Sequence, residues 1–260
     1  MNYETLVLSK HNDVLTISLN RPDVHNAMND VLMNELTSCF KEAGTDDSIS
    51  VIILTGNGKS FCAGADLSWM KRMVHYSKTE NKKDSGLLLE MYETIHSCPK
   101  PVIGRINGAA FGGGIGLLAV CDITLTVPEA KFGFTEVKLG IIPAVISTFV
   151  ALRMTPASMR RFFITGERFD ATVAKDIGLI DLIIPPADFD AAVQTCVEQL
   201  GTSGPHAVTE IKRLIYNLGE MDLKNYKDFT VEKISELRVS AEGQEGITAF
   251  LEKRKPRWKR

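Results

Sequence analysis

Gly108-Ala-Ala-Phe-Gly-Gly-Gly-Ile-Gly-Leu-Leu-Ala-Val-Cys-Asp122 carries three consecutive glycines followed by an apolar run. Such a stretch describes a tight backbone approach that opens directly into a buried helix, because glycine lets the chain pass close to a ligand without a Cβ in the way. The free N–H groups of a helix's first turn point at whatever sits there, with the positive end of the dipole behind them. The device suits a phosphate, a carboxylate or an oxygen that becomes negative during a reaction, and the last of these is expected here.

Strands are expected on both sides of this helix, over Val102 to Ile106 and Ile123 to Val127. Upstream, residues 3 to 9 and 13 to 19 alternate as two strands around a turn at His11-Asn12-Asp13. Asn29 is placed to cap a helix through Leu32, Leu36 and Phe40, with Gly44 as its C-cap. Ser50 to Thr55 reads as a fully buried strand, and Asp66 can start a helix. A polar segment from Ser77 to Ser85 reads as a mobile loop before a helix over Leu87 to His96, which Pro99 and Pro101 stop. Strand and helix in alternation indicate an α/β layered core with crossover connections. Past Pro156 the pattern turns helical, at 157–164, 171–177, 188–200, 206–218 and 222–238, with a final helix from Gly243 to Lys253. The division expected is a core over 1–190 and a helical region over 191–260 that packs on the core or on a neighbouring subunit.

Composition narrows the function classes. A chain of 260 residues can bury a sizeable core, and a net charge of −2 gives no general pull toward nucleic acid or anionic lipid. Five scattered cysteines (Cys39, Cys62, Cys98, Cys121 and Cys196) without a C-x-x-C pair argue for reduced thiols, with neither a zinc site nor a disulfide framework. No secretory signal or membrane span is visible, so a cytoplasmic protein is expected. Gly56-Asn-Gly-Lys-Ser60 ends like a phosphate loop, but Ile53 stands where the first glycine is required. Gly114-Ile-Gly-Leu-Leu-Ala119 fits a dinucleotide pattern yet lies inside the expected helix and not at the turn leaving a strand. The sequence has no nucleophile elbow, and its five histidines form no i, i+4 pair, so none is assigned to metal or catalysis.

Several spaced motifs together resemble the crotonase, or enoyl-CoA hydratase/isomerase, superfamily. They are Arg21-Pro22 with Asn26-Ala27-Met28, Cys62-Ala-Gly-Ala-Asp-Leu67, Gly108 to Gly114, Cys121-Asp122, Phe132-Gly133, Glu136, Gly140-Ile-Ile-Pro143, Thr165-Gly166-Glu167, Ala174 to Leu179, and Gly246 to Trp258. The resemblance implies a ClpP-like spiral of repeated ββα units with a helical C-terminal region, acting on acyl-CoA thioesters as a homotrimer or a dimer of trimers. Coenzyme A enters as part of the substrate, and no metal, redox cofactor, nucleic acid or membrane is implied. Asp66-Leu-Ser-Trp-Met-Lys-Arg-Met73, Gly112-Gly-Gly-Ile-Gly116 and Pro143-Ala-Val-Ile-Ser147 look like methylglutaconyl-CoA hydratases and relatives that take branched, carboxylated enoyl-CoAs.

The resemblance places the two backbone donors for the thioester oxygen on Ala65 and Gly113. Fixed N–H donors stabilise charge where it develops, and one such donor is worth about 3 kcal/mol. It places the catalytic carboxylate on Glu136, in an otherwise apolar segment where burial should raise its pKa. Ala27, Ala63 and Leu67 are expected to line the coenzyme A site with Asp66, which also caps its helix. Asp122 is taken as structural. The departure is Gly116: many enoyl-CoA hydratases carry a second glutamate one helical turn after the oxyanion glycine. A glycine inside a helix costs about 1 kcal/mol against alanine, so either a neighbouring backbone packs there or the pocket needs the room. Glu136 then works alone, or the substrate's own carboxylate assists, or the reaction differs. Lys71, Arg72 and Arg153 are the candidate cations for a second carboxylate, each weighed against a solvated helix face. The basic tail (Lys253, Arg254, Lys255, Arg257, Lys259, Arg260) is read as a solvated chain end, set against contact with a coenzyme A phosphate or RNA. The reading is hydration of a 2-enoyl-CoA such as 3-methylglutaconyl-CoA. Its rivals are an isomerase or decarboxylase of the same fold and a non-catalytic acyl-CoA- or RNA-binding relative.

Overall fold

The computed structural model describes residues 3–258. The chain opens with the hairpin expected at its start: β1 (Leu6–His11) pairs antiparallel with β2 (Val14–Leu19) through Asn12, whose φ is +53°. Leu15, Ile17 and Leu19 alternate into the core. After Asn29, whose side chain accepts from the Leu32 N–H, α1 (Asp30–Thr45) buries Leu32, Leu36 and Phe40 as the spacing predicts. Gly44 does not end this helix; it lies inside it, and Asp46 is the C-cap. Its lack of a side chain serves packing, because a Cβ there would stand 3.2 Å from Pro99 Cδ.

Three successive windings then set the architecture. Each sends one strand into a large sheet and the next into a small one. The large-sheet members are β3 (Val51–Gly56), β5 (Val102–Ile106) and β7 (Ile123–Thr126), and β10 (Leu182–Ile183) closes the order β1-β2-β3-β5-β7-β10. From β2 onward every pairing in that sheet is parallel. The small-sheet members are β4 (Ser60–Cys62), β6 (Ala109–Phe111) and β8 (Lys131–Gly133), mutually parallel, with β9 (Arg168–Asp170) antiparallel at the edge. Helices complete the windings: α2 (Leu67–Met73) and α3 (Lys78–His96) after β4, α4 (Gly113–Ala119) after β6, and α5 (Ala144–Val150), α6 (Pro156–Thr165) and α7 (Ala171–Asp176) later in the chain. This is the repeated ββα spiral.

The segment Ser77 to Ser85 corrects the expectation of a mobile loop. It begins α3, capped by a reciprocal box in which Ser77 accepts from the Glu80 N–H while Glu80 accepts from the Ser77 N–H. That pair satisfies two otherwise orphaned donors, so a polar stretch becomes a stable first turn. Its length matters for the site, because α3 carries Tyr92.

Helix α8 (Phe189–Leu200) spans the expected division at 190 and buries Phe189, Val193 and Cys196 in the same core as the sheets. The helices that follow, α9 (Pro205–Glu220), α10 (Leu223–Val239) and α11 (Ala241–Leu251), bury only Glu210 and Ala249. They leave Ile211, Ile215, Leu218, Val231 and Phe250 exposed. Among the described residues no helix is long and apolar enough to cross a membrane.

Candidate active site

Parallel pairing in the small sheet puts the C-terminal ends of β4, β6 and β8 side by side, with Cys62 opposite Ala110 and Phe111 opposite Gly133. The chain leaving each end carries one of the expected groups: Ala65 after β4, Gly113 after β6 and Glu136 after β8. The three loops interlock. Gly64 has φ +93°, and a Cβ on it would stand 2.8 Å from the Phe111 carbonyl oxygen and 3.9 Å from the Gly113 nitrogen. Gly112 has φ +48°, and a Cβ on it would stand 2.9 Å from Glu136 Oε1. Only glycine serves at both positions, since each combines a left-handed backbone with no room for a side chain.

Neither the Ala65 nor the Gly113 N–H donates to a protein acceptor among the described residues, although their neighbours do: Asp66 to Met28 O at 2.8 Å, Gly112 to Gly133 O at 3.0 Å. Both residues are half-buried and so reachable from one side. Two free donors on adjacent loops are an arrangement that can hold an oxygen as it gains negative charge. Glu136 heads a short 3₁₀ turn, Glu136–Leu139, that ends at left-handed Gly140. Its Oε2 is buried without a hydrogen-bond partner. Burial pushes its pKa above the ordinary glutamate value, opposed only by its own backbone N–H. A carboxylate so placed is a stronger base than one in water, and its acid form persists closer to neutrality.

Around the start of α2 the chain is tied down tightly. The Asp66 carboxylate accepts from the Ser68 and Trp69 N–H groups and pairs with Arg21 at 2.8 Å. Burial opposes its ionisation, but these donors outweigh that and hold its pKa below the usual range. Arg21 also donates to the Ala27 carbonyl, and the Ala63 N–H donates to His25 O at 3.0 Å. Ala27, Ala63 and Asp66 thus belong to one braced strip, with Leu67 exposed beside it. Asp66 caps its helix as expected. Cys62, next to this strip, is fully buried, and burial pushes its thiol up to about 12, which leaves it protonated and inert as a nucleophile.

At Gly116 the nearest neighbours of the missing side chain are themselves side chains. Two side chains fill the space: a Cβ at 116 would stand 2.5 Å from Ile146 Cγ2, 2.7 Å from Tyr92 Cζ and 2.8 Å from Tyr92 Oη. Tyr92 is fully buried, and its hydroxyl donates to the Gly113 carbonyl at 2.7 Å. The sequence offered one unused signal for it, the Ser77-x-x-Glu80 box that starts its helix.

Of the candidate cations, Arg153 is spent on structure. Its guanidinium donates to Ala119 O at 3.2 Å and Cys121 O at 2.6 Å, the carbonyls at the end of α4, and it pairs with Asp181 at 3.6 Å. Arg72 pairs with Asp30 at 2.7 Å. Lys71 is exposed and has no ion-pair partner among the described residues. Asp122 is structural: it accepts from the Val102 N–H and pairs with Lys212, each at 2.7 Å. In the basic tail, Arg254 and Arg257 are held by Glu245, while Lys259 and Arg260 lie outside the described residues.

A family model described as enoyl-CoA hydratase/isomerase matches residues 9–260. The chain is 30% identical over 257 residues to the crotonyl-CoA hydratase of Syntrophomonas wolfei, covering 98% of each chain. It is also 30% identical over 256 residues to the 2,3-dehydroadipyl-CoA hydratase of Escherichia coli, again covering 98% of each. A crystal structure of an enoyl-CoA hydratase from Shewanella pealeana superimposes with a TM-score of 0.94 at 37% identity, covering 98% of this chain and 96% of that one.

Proposed function

This chain belongs to the enoyl-CoA hydratase/isomerase family and has its crotonase fold, and on that premise we propose that it adds water to a 2-enoyl-CoA with Glu136 as its single proton-handling carboxylate. The observation that carries the reading is the meeting of two undonated N–H groups, Ala65 and Gly113, with a carboxylate whose Oε2 has no partner. Glu136 takes a proton from water as its oxygen bonds to Cβ. The electron pair of the double bond moves to the thioester oxygen, which Ala65 and Gly113 hold as an enolate. Glu136 then gives the proton to Cα, the enolate collapses, and water has been added with the carboxylate restored. Burial suits Glu136 to both steps, because a raised pKa strengthens the base and keeps the acid usable. Coenzyme A enters with the substrate, and these steps call for no separate cofactor.

For the acyl chain we favour a branched, carboxylated substrate such as 3-methylglutaconyl-CoA. Relatives named for crotonyl-CoA and for 2,3-dehydroadipyl-CoA are equally similar, so identity does not choose. What supports the diacid is the absence of a carboxylate at Gly116. A second fixed negative charge beside Glu136 would repel a substrate carboxylate by about 1 kcal/mol or more at close range. Assembly as a trimer or a dimer of trimers is supported by the apolar residues that α9, α10 and α11 leave exposed.

The test is steady-state hydration of 3-methylglutaconyl-CoA beside crotonyl-CoA, with Glu136→Gln as control. Preference for the diacid thioester, abolished in the variant, supports the whole reading. Activity on crotonyl-CoA alone keeps the hydratase and discards the diacid. The single carboxylate also favours a second reading, isomerisation of the double bond or decarboxylation, in which one group relays a proton without adding water. Solvent deuterium entering the acyl chain while no hydroxyacyl product forms would mark isomerisation, and release of carbon dioxide would mark decarboxylation.

A further inference from the structure

We propose that Met28 and Tyr92 form a strut that sets the spacing and direction of the Ala65 and Gly113 N–H groups, with Tyr92 as a positioning residue. The inference rests on the reading of those two groups as the donors to the thioester oxygen. The donors come from different windings of the spiral and are not hydrogen-bonded to each other, so something must hold their separation. Met28 is fixed to the first: its N–H donates to Gly64 O at 2.7 Å and its carbonyl accepts from the Asp66 N–H at 2.8 Å, which brackets Ala65 on both sides in a parallel bridge. Its side chain reaches the second, since its Cε and Sδ lie against the open face of Gly113. Tyr92 completes the triangle. Its hydroxyl lies 3.8 Å from Met28 Sδ and donates to the Gly113 carbonyl at 2.7 Å.

The strut is rigid from behind. Tyr92 and Met28 are buried, and the Tyr92 ring packs at 5.6 Å on the buried Phe149. Burial first, and the nearby Cys62 and Glu136 after it, push the Tyr92 hydroxyl well above its ordinary value, so it remains a donor over the whole working range. The space it needs is the space a side chain at 116 would take. Gly116 and Tyr92 are therefore coupled: the missing side chain at 116 leaves room for a hydroxyl that braces the Gly113 loop.

Tyr92→Phe separates bracing from space-filling, because the ring stays and only the hydroxyl goes. Met28→Leu keeps the apolar bulk and withdraws the atom that reaches Gly113. Two readouts apply: turnover of whichever enoyl-CoA the wild type hydrates, and the infrared carbonyl band of bound butyryl-CoA labelled with ¹³C at the thioester carbon. The latter has the oxygen to be polarised and no double bond to react. We expect kcat of Tyr92→Phe to fall about tenfold, the worth of one well-placed hydrogen bond. KM should stay within about twofold, since uniform binding is untouched. The band, lowered in the wild type, should move back toward its frequency in water in both variants. Wild-type kcat and band position in Tyr92→Phe would overturn the strut and leave the hydratase reading standing. A wild-type protein that binds butyryl-CoA yet leaves the band at its aqueous frequency would overturn the donor assignment and the strut with it.

Discussion

Replacing Gly116 by alanine pits two opposed effects against each other, and the structure decides between them. Helix propensity alone makes alanine better than glycine by about 1 kcal/mol in a helix interior. At this position, however, the new Cβ would stand 2.5 Å from Ile146 Cγ2, 2.7 Å from Tyr92 Cζ and 2.8 Å from Tyr92 Oη. Ordinary carbon contacts lie at about 3.5–4.0 Å, so all three atoms must retreat by roughly an ångström. Neither neighbour is the loose end of a flexible chain: Tyr92 is a buried ring held by its hydroxyl, and Ile146 is 3% exposed. Overpacking of this kind costs about 1–3 kcal/mol, and three simultaneous contacts with stiff groups place it at the upper end. Subtracting the propensity gain leaves a net loss of about 2 kcal/mol, or a Tm lower by about 4–8 °C for a chain of this size. Urea unfolding at fixed protein concentration measures it as a lower midpoint with an unchanged slope. In a Tyr92→Leu background the same substitution should cost at least about 1 kcal/mol less, the signature of two side chains competing for one space. A Gly116→Ala protein more stable than wild type would refute the argument, since the position would then be open and the missing carboxylate would need another explanation.

Other consequences are separable. Glu136→Gln should abolish turnover and yet stabilise the fold at neutral pH, by removing the charge of a carboxylate that burial disfavours. Because the folded pKa is raised above the ordinary value of 4.5, the folded state binds the proton more tightly than the unfolded one, so wild-type stability falls as pH rises through that window. The advantage of the variant should therefore be absent below about pH 4.5, grow through the folded pKa and level off above it; thermal melts across pH would register this, and a pH-independent difference would contradict it. Arg153→Met should lower stability by about 2–4 kcal/mol in urea unfolding, because it orphans the carbonyls of Ala119 and Cys121, while leaving the ratio of rates on diacid and simple thioesters unchanged. Lys71→Met should raise KM for the diacid thioester about two- to fivefold, the worth of an exposed ion pair, and leave crotonyl-CoA unaffected in the same kinetic assay.

The long elements were legible in the sequence for a common reason: their signals are local. Asn29 and Asp66 cap the helices they precede, and Val51 to Gly56 is apolar over a full strand length. Glu136 stands between the apolar Phe134 and Val137, and burial raises its pKa there. Where the reading went astray, a local rule was missed or a tertiary one intervened. The Ser77 to Ser85 segment looked like a loop because its composition is polar, although its capping box was present in the letters. Gly44 looked like a helix stop because glycine often is one; Pro99, distant in sequence, is what would crowd a side chain there, at 3.2 Å.

By itself, then, the sequence determined the α/β alternation and the glycine-opened loops, since each depends on period, capping or φ within a few residues. The small sheet lay beyond it, because β4, β6 and β8 are three residues long and too short for any alternation to register. Only that sheet, by pairing three windings of the chain in parallel, sets Ala65, Gly113 and Glu136 at one edge. Only packing across the spiral could bring Tyr92 into the space left by Gly116. Contacts between residues far apart in the chain are decided by which surfaces can bury one another, and no local pattern records that.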